Sequence, residues 1–325
     1  MKLHEYKDAF EGAIVAAAQH FYIPEIYIEK DYWVTYALKQ IFSDKTAKDL
    51  AVFKGGTSLS KCFKIIERFS EDIDLVVFQK EGDSGAALKG KLKKVTNTVG
   101  GALAYIPSHP FEVKLGKIRK LYYKYPKANS QGDFGQVSET IAVEVSNLGN
   151  THPYESISIH TMIAEFIGTT NNVDLIQNYG LEPFDVNVLS IERTFCEKII
   201  SLVRFSYADE PLKELAGKVR HTYDLHQMLR HDRISEFMHS TDFEAMLVQV
   251  GKDDDKAIPN DKEWLSKHPS EAMLFNKTEE VWETIGKTYN STFAELLTGK
   301  LPEEALVVKS LLRISERLKH IQWKM

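Results

Sequence analysis

Two aspartates, Asp72 and Asp74, stand two positions apart at the start of a segment rich in β-forming apolar residues. In a strand, side chains two positions apart point to the same side, so both carboxylates would project together. Like charges this close repel each other unless a cation lies between them. Mg²⁺ suits one or two carboxylates combined with substrate phosphates. The pair therefore predicts a metal site, although such a short pattern taken alone is more often an exposed pair that binds nothing.

A glycine turn, Gly55–Ser58, lies between a short apolar run, Leu50–Phe53, and residues 59–68, which can form a helix. Glycines allow a ligand to approach the backbone, and the start of a helix favours an anion. No Gly-Lys-Ser/Thr closes the turn, so it is not a Walker loop. A tight turn is the simpler interpretation of this motif alone. The order of strand, glycine turn, helix and strand with two aspartates is more specific, and it indicates a triphosphate held beside its metal.

Glu144 interrupts the short apolar strand predicted at Ile141–Val145. A carboxylate in such a strand is costly unless it is exposed, paired or bound to a metal. Alternation places Glu144 on the opposite face from Val143 and Val145. Two interpretations stay open: a third acidic metal ligand, or the solvent face of an amphipathic strand.

Two further positions are unusual on predicted helices. Lys198 falls within the apolar stripe of a helix that begins near Ser190, so its side chain either snorkels or points into a cleft. His221 and Asp224 lie three positions apart and would be neighbours on a helix surface. Glu197 is predicted to join an ion-pair row with Arg193 and Arg204.

A basic and aromatic segment offers a surface for nucleic acid. Six basic residues are interleaved with Tyr122, Tyr123 and Tyr125 in this segment: Lys114, Lys117, Arg119, Lys120, Lys124 and Lys127. Cations can bind phosphates and tyrosines can stack on unpaired bases, whereas a solvated hairpin is an equally good interpretation.

Several of these stretches together resemble the AbiEii/AbiGii toxin family, whose members are nucleotidyltransferases of toxin–antitoxin and abortive-infection systems. The similar stretches are Phe53–Leu59, Arg68–Leu75, Glu29–Trp33, Glu192–Lys198 and Arg220–Leu225. The sequence departs from many members at His221, where they carry aspartate.

The resemblance implies a polymerase-β-like, Mg²⁺-dependent nucleotidyltransferase that uses an NTP and releases pyrophosphate. It further implies an RNA acceptor, with the 3′ end of tRNA as the candidate, and an antitoxin protein as a partner. Alternatives are a small-molecule or protein hydroxyl as acceptor, or a nucleotide-binding module without catalysis. The predicted catalytic residues are Asp72, Asp74, Lys198 and Asp224, and the predicted metal ligands are Asp72, Asp74 and Glu144. The predicted nucleotide-binding residues are Lys54, Gly55, Gly56, Thr57, Ser58, Ser70 and Arg204.

Composition sets few limits on this interpretation. The chain has 325 residues, 43% of them hydrophobic, and a net charge of −5, so it can bury a large core and is not broadly basic. Its two cysteines form no framework, its first residues are too polar for a signal peptide, and no apolar run is long enough for a membrane helix. We therefore expect a cytoplasmic protein that does not associate with membranes.

The predicted fold class is α+β. A nucleotidyltransferase core with a mixed sheet and N-terminal helices is expected over residues 1–155. A mostly helical domain that completes the active-site cleft is expected over residues 156–325. Its candidate helices are 156–167, 190–206, 212–230, 241–250, 271–297 and 303–322, with a loop at 251–270.

Overall fold

The structure is a computed structural model, which describes residues 1–128, 138–257 and 263–325. The chain divides into two compact units. Unit one comprises Met1–Cys62, Phe69–Asn147 and Tyr154–Val188, and unit two comprises Phe63–Arg68, Leu148–Pro153 and Leu189–Met325. Each unit is therefore assembled from segments that are separate in the sequence.

Unit one is built on one mixed sheet. In the described residues it has eight strands: β1 Ala51–Lys54, β2 Ile73–Val77, β3 Ala104–Tyr105, β4 Val113–Leu115, β5 Ile118–Lys124, β6 Ile141–Ser146, β7 Tyr154–Ile159 and β8 Phe184–Leu189. They follow the order β3-β5-β6-β2-β1-β8-β7, and β4 also pairs with β5. Strand β2 runs parallel to β6 and antiparallel to β1. The predicted α+β class with a mixed sheet is confirmed.

The central strands form where the sequence concentrates β-branched and aromatic residues. Phe53, Ile73 and Val143 are fully buried and anchor β1, β2 and β6. Residues of that type fit a pleated surface that is covered on its apolar side. The polar residues of the same strands alternate onto the other face, where the site described below lies.

Six helices accompany this sheet in the described part of unit one: α1 Lys7–Phe21, α2 Glu25–Ser43, α3 Gly55–Lys61, α4 Gly85–Asn97, α5 Met162–Gly168 and α6 Asp174–Asn178. Helix α3 differs from the expectation, because it begins at the glycine turn and ends at Lys61 rather than Arg68. Lys64 has a φ of 55°, in the left-handed region, which a continuing helix excludes.

The helix expected at 156–167 is wrong in its first half. Strand β7 occupies Tyr154–Ile159, and helix α5 starts only at Met162. The reason is an alternation that period-3.6 reasoning overlooked: Ile157 and Ile159 turn inward while Ser156 and Ser158 are exposed. Strand β8 also pairs with β1, and residues 154–188 belong to unit one.

Unit two is helical in its described residues, with α7 Ile191–Phe205, α8 Pro211–Gly217, α9 Val219–Leu229, α10 Asp232–His239, α11 Thr241–Ala257, α12 Met273–Asn276, α13 Thr278–Thr288 and α14 Glu304–Leu318. Two expected helices are interrupted. The one at 212–230 breaks after Gly217, and the one at 271–297 breaks at Lys277 and continues beyond α13 as a π-helical turn, Tyr289–Phe293.

Helix α11 continues to Ala257, so the first part of the loop expected at 251–270 is helical; residues 258–262 lie outside the described part of the chain. The acidic run that suggested a loop is instead paired with α7. Asp253 lies 2.7 Å from Arg193, and Asp254 lies 2.6 Å from Arg204. In the described residues no helix is long and apolar enough to cross a membrane.

Candidate active site

A row of four charged residues crosses the centre of the sheet in unit one. Lys54 on β1 is opposite Asp74 on β2, Asp74 is beside Glu144 on β6, and Glu144 is opposite Lys120 on β5. Residues directly opposite on paired strands project from the same face. Lys120 Nζ lies 3.5 Å from Glu144 Oε2. The structure thus places the two acidic residues side by side between two lysines; we call these four residues the charge row.

The carboxylates of this region repel each other. Burial, and then the charges of Glu144 and Asp72, raise the pKa of Asp74 to about 7, although Lys54 and Lys120 act in the opposite direction. Three acidic groups near one another disfavour the ionised form of the most enclosed one. The donor set consists of carboxylate oxygens, which fits a hard divalent cation such as Mg²⁺.

The glycine turn directly touches this donor set. Gly55 has a φ of 81°, and a Cβ at this position would lie 2.5 Å from Asp74 Oδ2. Both facts require glycine: the backbone conformation is left-handed, and the carboxylate occupies the space of any side chain. The backbone of the turn therefore packs directly against the Asp74 carboxylate.

The hydroxyl groups of the turn hold it in place. Thr57 Oγ1 donates to the carbonyl oxygen of Asp72 at 2.6 Å and lies 2.9 Å from Ser70 Oγ. Ser58 Oγ donates to the carbonyl oxygen of Gly55 at 2.8 Å. Both side chains are buried, so they fix the turn against the strand with the aspartates. Direct nucleotide contact by Thr57, Ser58 and Ser70 stays a prediction.

No group of three or more His, Cys, Asp or Glu side chains within residues 1–128, 138–257 and 263–325 is arranged as a complete metal site. Mg²⁺ in a nucleotide complex needs only one or two carboxylates, since the substrate phosphates supply further oxygens. Asp72 and Asp74 are the residues predicted to supply these carboxylates, and their role as metal ligands stays a prediction. Glu144 is already close to Lys120, so its role as a third ligand stays a prediction.

A second charged cluster lies in unit two. Arg68 donates from Nε to Asp224 Oδ1 at 2.7 Å and from Nη2 to Oδ2 at 2.8 Å, and Lys198 Nζ donates to Oδ2 at 2.7 Å. The side chains of Arg68, Asp224 and Lys198 are 4%, 0% and 8% exposed. We call these three residues the buried ion cluster. Asp224 uses both carboxylate oxygens inside the protein, so it positions the two cations.

Two opposing effects act on the pKa of Asp224 in the buried ion cluster. Burial alone would raise the pKa of Asp224, but Arg68 and then Lys198 outweigh burial and hold it well below its usual range. His221 is beside the cluster, and burial and then the charge of Lys198 hold its pKa well below the usual range, so its imidazole is neutral. Its Nδ1 is buried without a hydrogen-bond partner in the described residues. A neutral group at 221 leaves the charge of the cluster unchanged.

Arg204, predicted to bind nucleotide, forms an ion pair with Asp254 at 2.6 Å, and its side chain is 20% exposed. The ion pair predicted between Arg193 and Glu197 is confirmed at 3.3 Å. These arginines join α7 to α11.

Sequence reasoning missed two charged residues, one in the buried ion cluster and one near Asp72. Arg68 was noted only as part of a motif, although its position just before Phe69–Asp72 was the available signal. Lys30, fully buried, pairs with Glu71 at 2.9 Å. Burial lowers the pKa of Lys30, while Glu71 and Asp72 oppose that change, so Lys30 is a further cation near Asp72, a predicted metal ligand. Its signal was a lysine within the apolar pattern of α2.

The three tyrosines proposed to stack on bases are buried, which corrects that expectation. Tyr123 donates its hydroxyl to the carbonyl of Thr96, and Tyr125 stacks on Trp33. Tyr122 is covered by His109, whose ring centre is 3.8 Å away. These aromatic residues of β5 are used for packing, because each ring covers a large apolar area inside the protein.

Comparison with known proteins identifies the family. A sequence model described as "Nucleotidyl transferase AbiEii toxin, Type IV TA system" matches residues 36–308. The chain belongs to the AbiEii family. It is therefore a nucleotidyltransferase of a toxin family, and the resemblance predicted from the motifs is confirmed.

A solved structure agrees with this AbiEii-family fold. MenT4, a nucleotidyltransferase toxin from Mycobacterium tuberculosis H37Rv, is similar with a TM-score of 0.51 and 17% identity, over 95% of this chain and 90% of that chain. At this identity the likeness concerns the fold. A search of curated proteins gave no significant match.

Proposed function

We propose that this AbiEii-family enzyme is Mg²⁺-dependent and transfers a nucleoside monophosphate from an NTP to the terminal hydroxyl of an RNA, with the 3′ end of tRNA as the first candidate. An antitoxin protein would restrain it. The observation that carries the proposal is the contact of the Gly55 turn with Asp74, beside Asp72 and Glu144.

The chain's own residues explain the chemistry. The acceptor hydroxyl oxygen attacks the α-phosphorus and releases its proton to water. A new P–O bond forms, and the bond from the α-phosphorus to the α–β bridging oxygen breaks as pyrophosphate leaves with the bonding electron pair. Mg²⁺ held by Asp72 and Asp74 would neutralise charge that builds on the phosphate oxygens. The Gly55–Ser58 turn would offer its backbone amides to the triphosphate, because the glycines at 55 and 56 carry no side chain of their own. Catalysis of this kind consists mainly of positioning and charge stabilisation.

We also propose that Lys198 acts in nucleotide binding, as the family resemblance implies. An ammonium has three N–H donors, and Asp224 fixes it by accepting one of them at 2.7 Å. Asp224 is fully buried, so its proposed role is to position Lys198 rather than to touch the reacting atoms.

The test of transfer uses purified protein, Mg²⁺, each α-labelled NTP in turn, and total tRNA. The matched controls are Asp72→Asn and Asp74→Asn, which keep the side-chain shape and remove the charge. Label in tRNA with wild type alone would support the proposal and reveal the nucleotide. Label in another molecule would identify that molecule as the acceptor instead of tRNA. Equal labelling by the variants would reject the assignment of these aspartates.

Metal and nucleotide binding can be measured without turnover. A non-hydrolysable NTP analogue with Mg²⁺ should raise the melting temperature of wild type, since a ligand that binds only the folded state stabilises it. The same mixture should leave Asp72→Asn nearly unchanged. An equal rise without Mg²⁺ would show that the nucleotide binds without the metal.

A further inference from the structure

The hairpin formed by β4 and β5 extends the face of the sheet that carries the charge row. Val113 on β4 is opposite Lys120 on β5, and Leu115 is opposite Ile118. Opposite residues share a face, so Val113 and Leu115 lie on the side of Lys120 and its partner Glu144. The other face of β5 is covered, because Arg119 and Tyr123 both bond to Thr96 on α4. The hairpin thus extends the face of the sheet that carries the predicted metal ligands, and Leu115 on this face is exposed.

Three aromatic rings continue from the charge row across this hairpin. The Tyr122 ring centre is 6.0 Å from Lys120 Nζ. His109 stacks on Tyr122 with ring centres 3.8 Å apart and planes inclined by 19°, and Phe111 follows at 5.9 Å from His109. Phe111 is 72% exposed. The rings therefore lead from the carboxylates outward to an aromatic side chain in solvent.

The exposed part of this surface has the chemistry of a base-stacking platform. Phe111 and Leu115, which is 75% exposed, are large apolar side chains left in water. Lys117 at the hairpin turn and Lys124 at the end of β5 are exposed cations at its borders. Unpaired nucleotides satisfy both features, because their bases stack on aromatic rings and their phosphates bind lysines. A single incoming NTP brings one base, whereas this row of rings can accommodate a short strand.

We propose that this face of the β4–β5 hairpin docks the unpaired 3′-terminal nucleotides of the RNA acceptor. Their bases stack on Phe111 and His109, and their phosphates bind Lys117 and Lys124. Tyr122 supports the His109 ring from below. The inference rests on the proposed function and adds the surface that recognises the acceptor.

The experiment compares Phe111→Ala with Phe111→Trp, which retains an aromatic face, and with Tyr22→Ala, which removes a 94% exposed aromatic elsewhere in unit one. Steady-state kinetics are measured against an RNA with an unpaired 3′ end and against the NTP. Phe111→Ala should raise the KM for RNA roughly tenfold, as expected for loss of one stacked base, and leave the KM for NTP unchanged. Phe111→Trp should retain wild-type values.

Two kinetic outcomes would overturn the inference. One is a Phe111→Ala enzyme that matches Tyr22→Ala in every parameter, which would leave the exposed hairpin for a protein partner. The other is a rise in the KM for NTP with an unchanged KM for RNA, which would assign the ring to the incoming nucleotide.

Failure of the proposed function is separable from failure of this inference. If wild type modifies no RNA, binding of a fluorescein-labelled single-stranded RNA oligonucleotide is measured by anisotropy, with a fully paired duplex as control. Roughly tenfold weaker binding of the single strand by Phe111→Ala would support the docking surface. Equal binding by wild type and variant would overturn it.

Discussion

The charge row of unit one and the buried ion cluster of unit two are both built around an aspartate, and they balance charge in opposite ways. Asp74 has two acidic neighbours, Asp72 and Glu144, and its pKa is raised to about 7. Asp224 has two basic neighbours, Arg68 and Lys198, and its pKa is held far below the usual range. Neighbouring carboxylates thus disfavour the ionised form of Asp74, whereas two cations favour the ionised form of Asp224.

This difference separates a group of carboxylates that a metal ion would stabilise from a carboxylate that already has two cationic partners. A bound metal ion would relieve the repulsion among Asp72, Asp74 and Glu144, so we expect the first group to respond to metal. A carboxylate with three hydrogen bonds from two cations already has its partners, so its value lies in holding those cations in place. The predictions below test this distinction, from the largest effect to the smallest.

Asp74→Asn should lower nucleotidyl transfer by about a thousandfold or more, because it removes a charge that holds the metal. The same change should not destabilise the protein. In metal-free buffer its melting temperature should rise by about 2–4 °C, since repulsion from Asp72 and Glu144 is relieved. Activity assays and thermal unfolding in EDTA provide the two measurements. A clear fall in melting temperature would show that Asp74 is a structural residue.

Asp224→Asn should have the opposite effect on stability, with a loss of about 3–5 kcal/mol of unfolding free energy. The reason is that Arg68 and Lys198 would be left as buried cations without their carboxylate. Urea denaturation of wild type and variant measures this difference. The charge-conserving Asp224→Glu should be less damaging, and equal stability of all three proteins would contradict a structural role for the cluster.

Acid should remove the same stabilisation. The folded pKa of Asp224 lies below its unfolded value of about 3.9, so its contribution is complete above about pH 5 and is lost as the pH falls toward the folded pKa. The stability gap between wild type and Asp224→Asn should therefore shrink, by about 1 kcal/mol, as the pH falls from 6 to 3. Parallel pH profiles for the two proteins would refute this linkage.

Arg204 and Asp254 give the smallest effect. Both side chains are partly exposed, so breaking their ion pair should cost less than about 1 kcal/mol. If Arg204 binds nucleotide as predicted, Arg204→Gln should raise the KM for NTP, whereas Asp254→Asn should leave it unchanged. Matching KM values in the two variants would restrict Arg204 to its contact with α11.

Sequence reasoning succeeded where the signal was local. The glycine turn, the strand with Asp74 and the strand with Glu144 each depend on a few neighbouring residues, and alternation indicates which face of its strand each carboxylate occupies. It failed where the partner was distant. Arg68 and Asp224 are separated by 156 positions. Lys30 similarly depends on Glu71, so neither contact could be inferred from spacing.

Secondary structure showed the same limit. The acidic run at 253–255 has the composition of a loop, yet Asp253 and Asp254 are neutralised by arginines of α7, which allows α11 to continue. Composition predicts a helix or loop correctly only where distant residues do not neutralise the charges of the segment.

The short segment Phe63–Arg68 has a consequence for how such a protein can be recombined. It belongs to unit two, although unit one precedes and follows it. The backbone carbonyl of Glu67 accepts from the amides of Thr298 and Gly299, and Arg68 supplies the partner of Asp224. A chimera that exchanged residues 189–325 as one block would therefore combine an aspartate from one parent with an arginine from the other. Functional chimeras between relatives should require Phe63–Arg68 and residues 189–325 to come from the same parent.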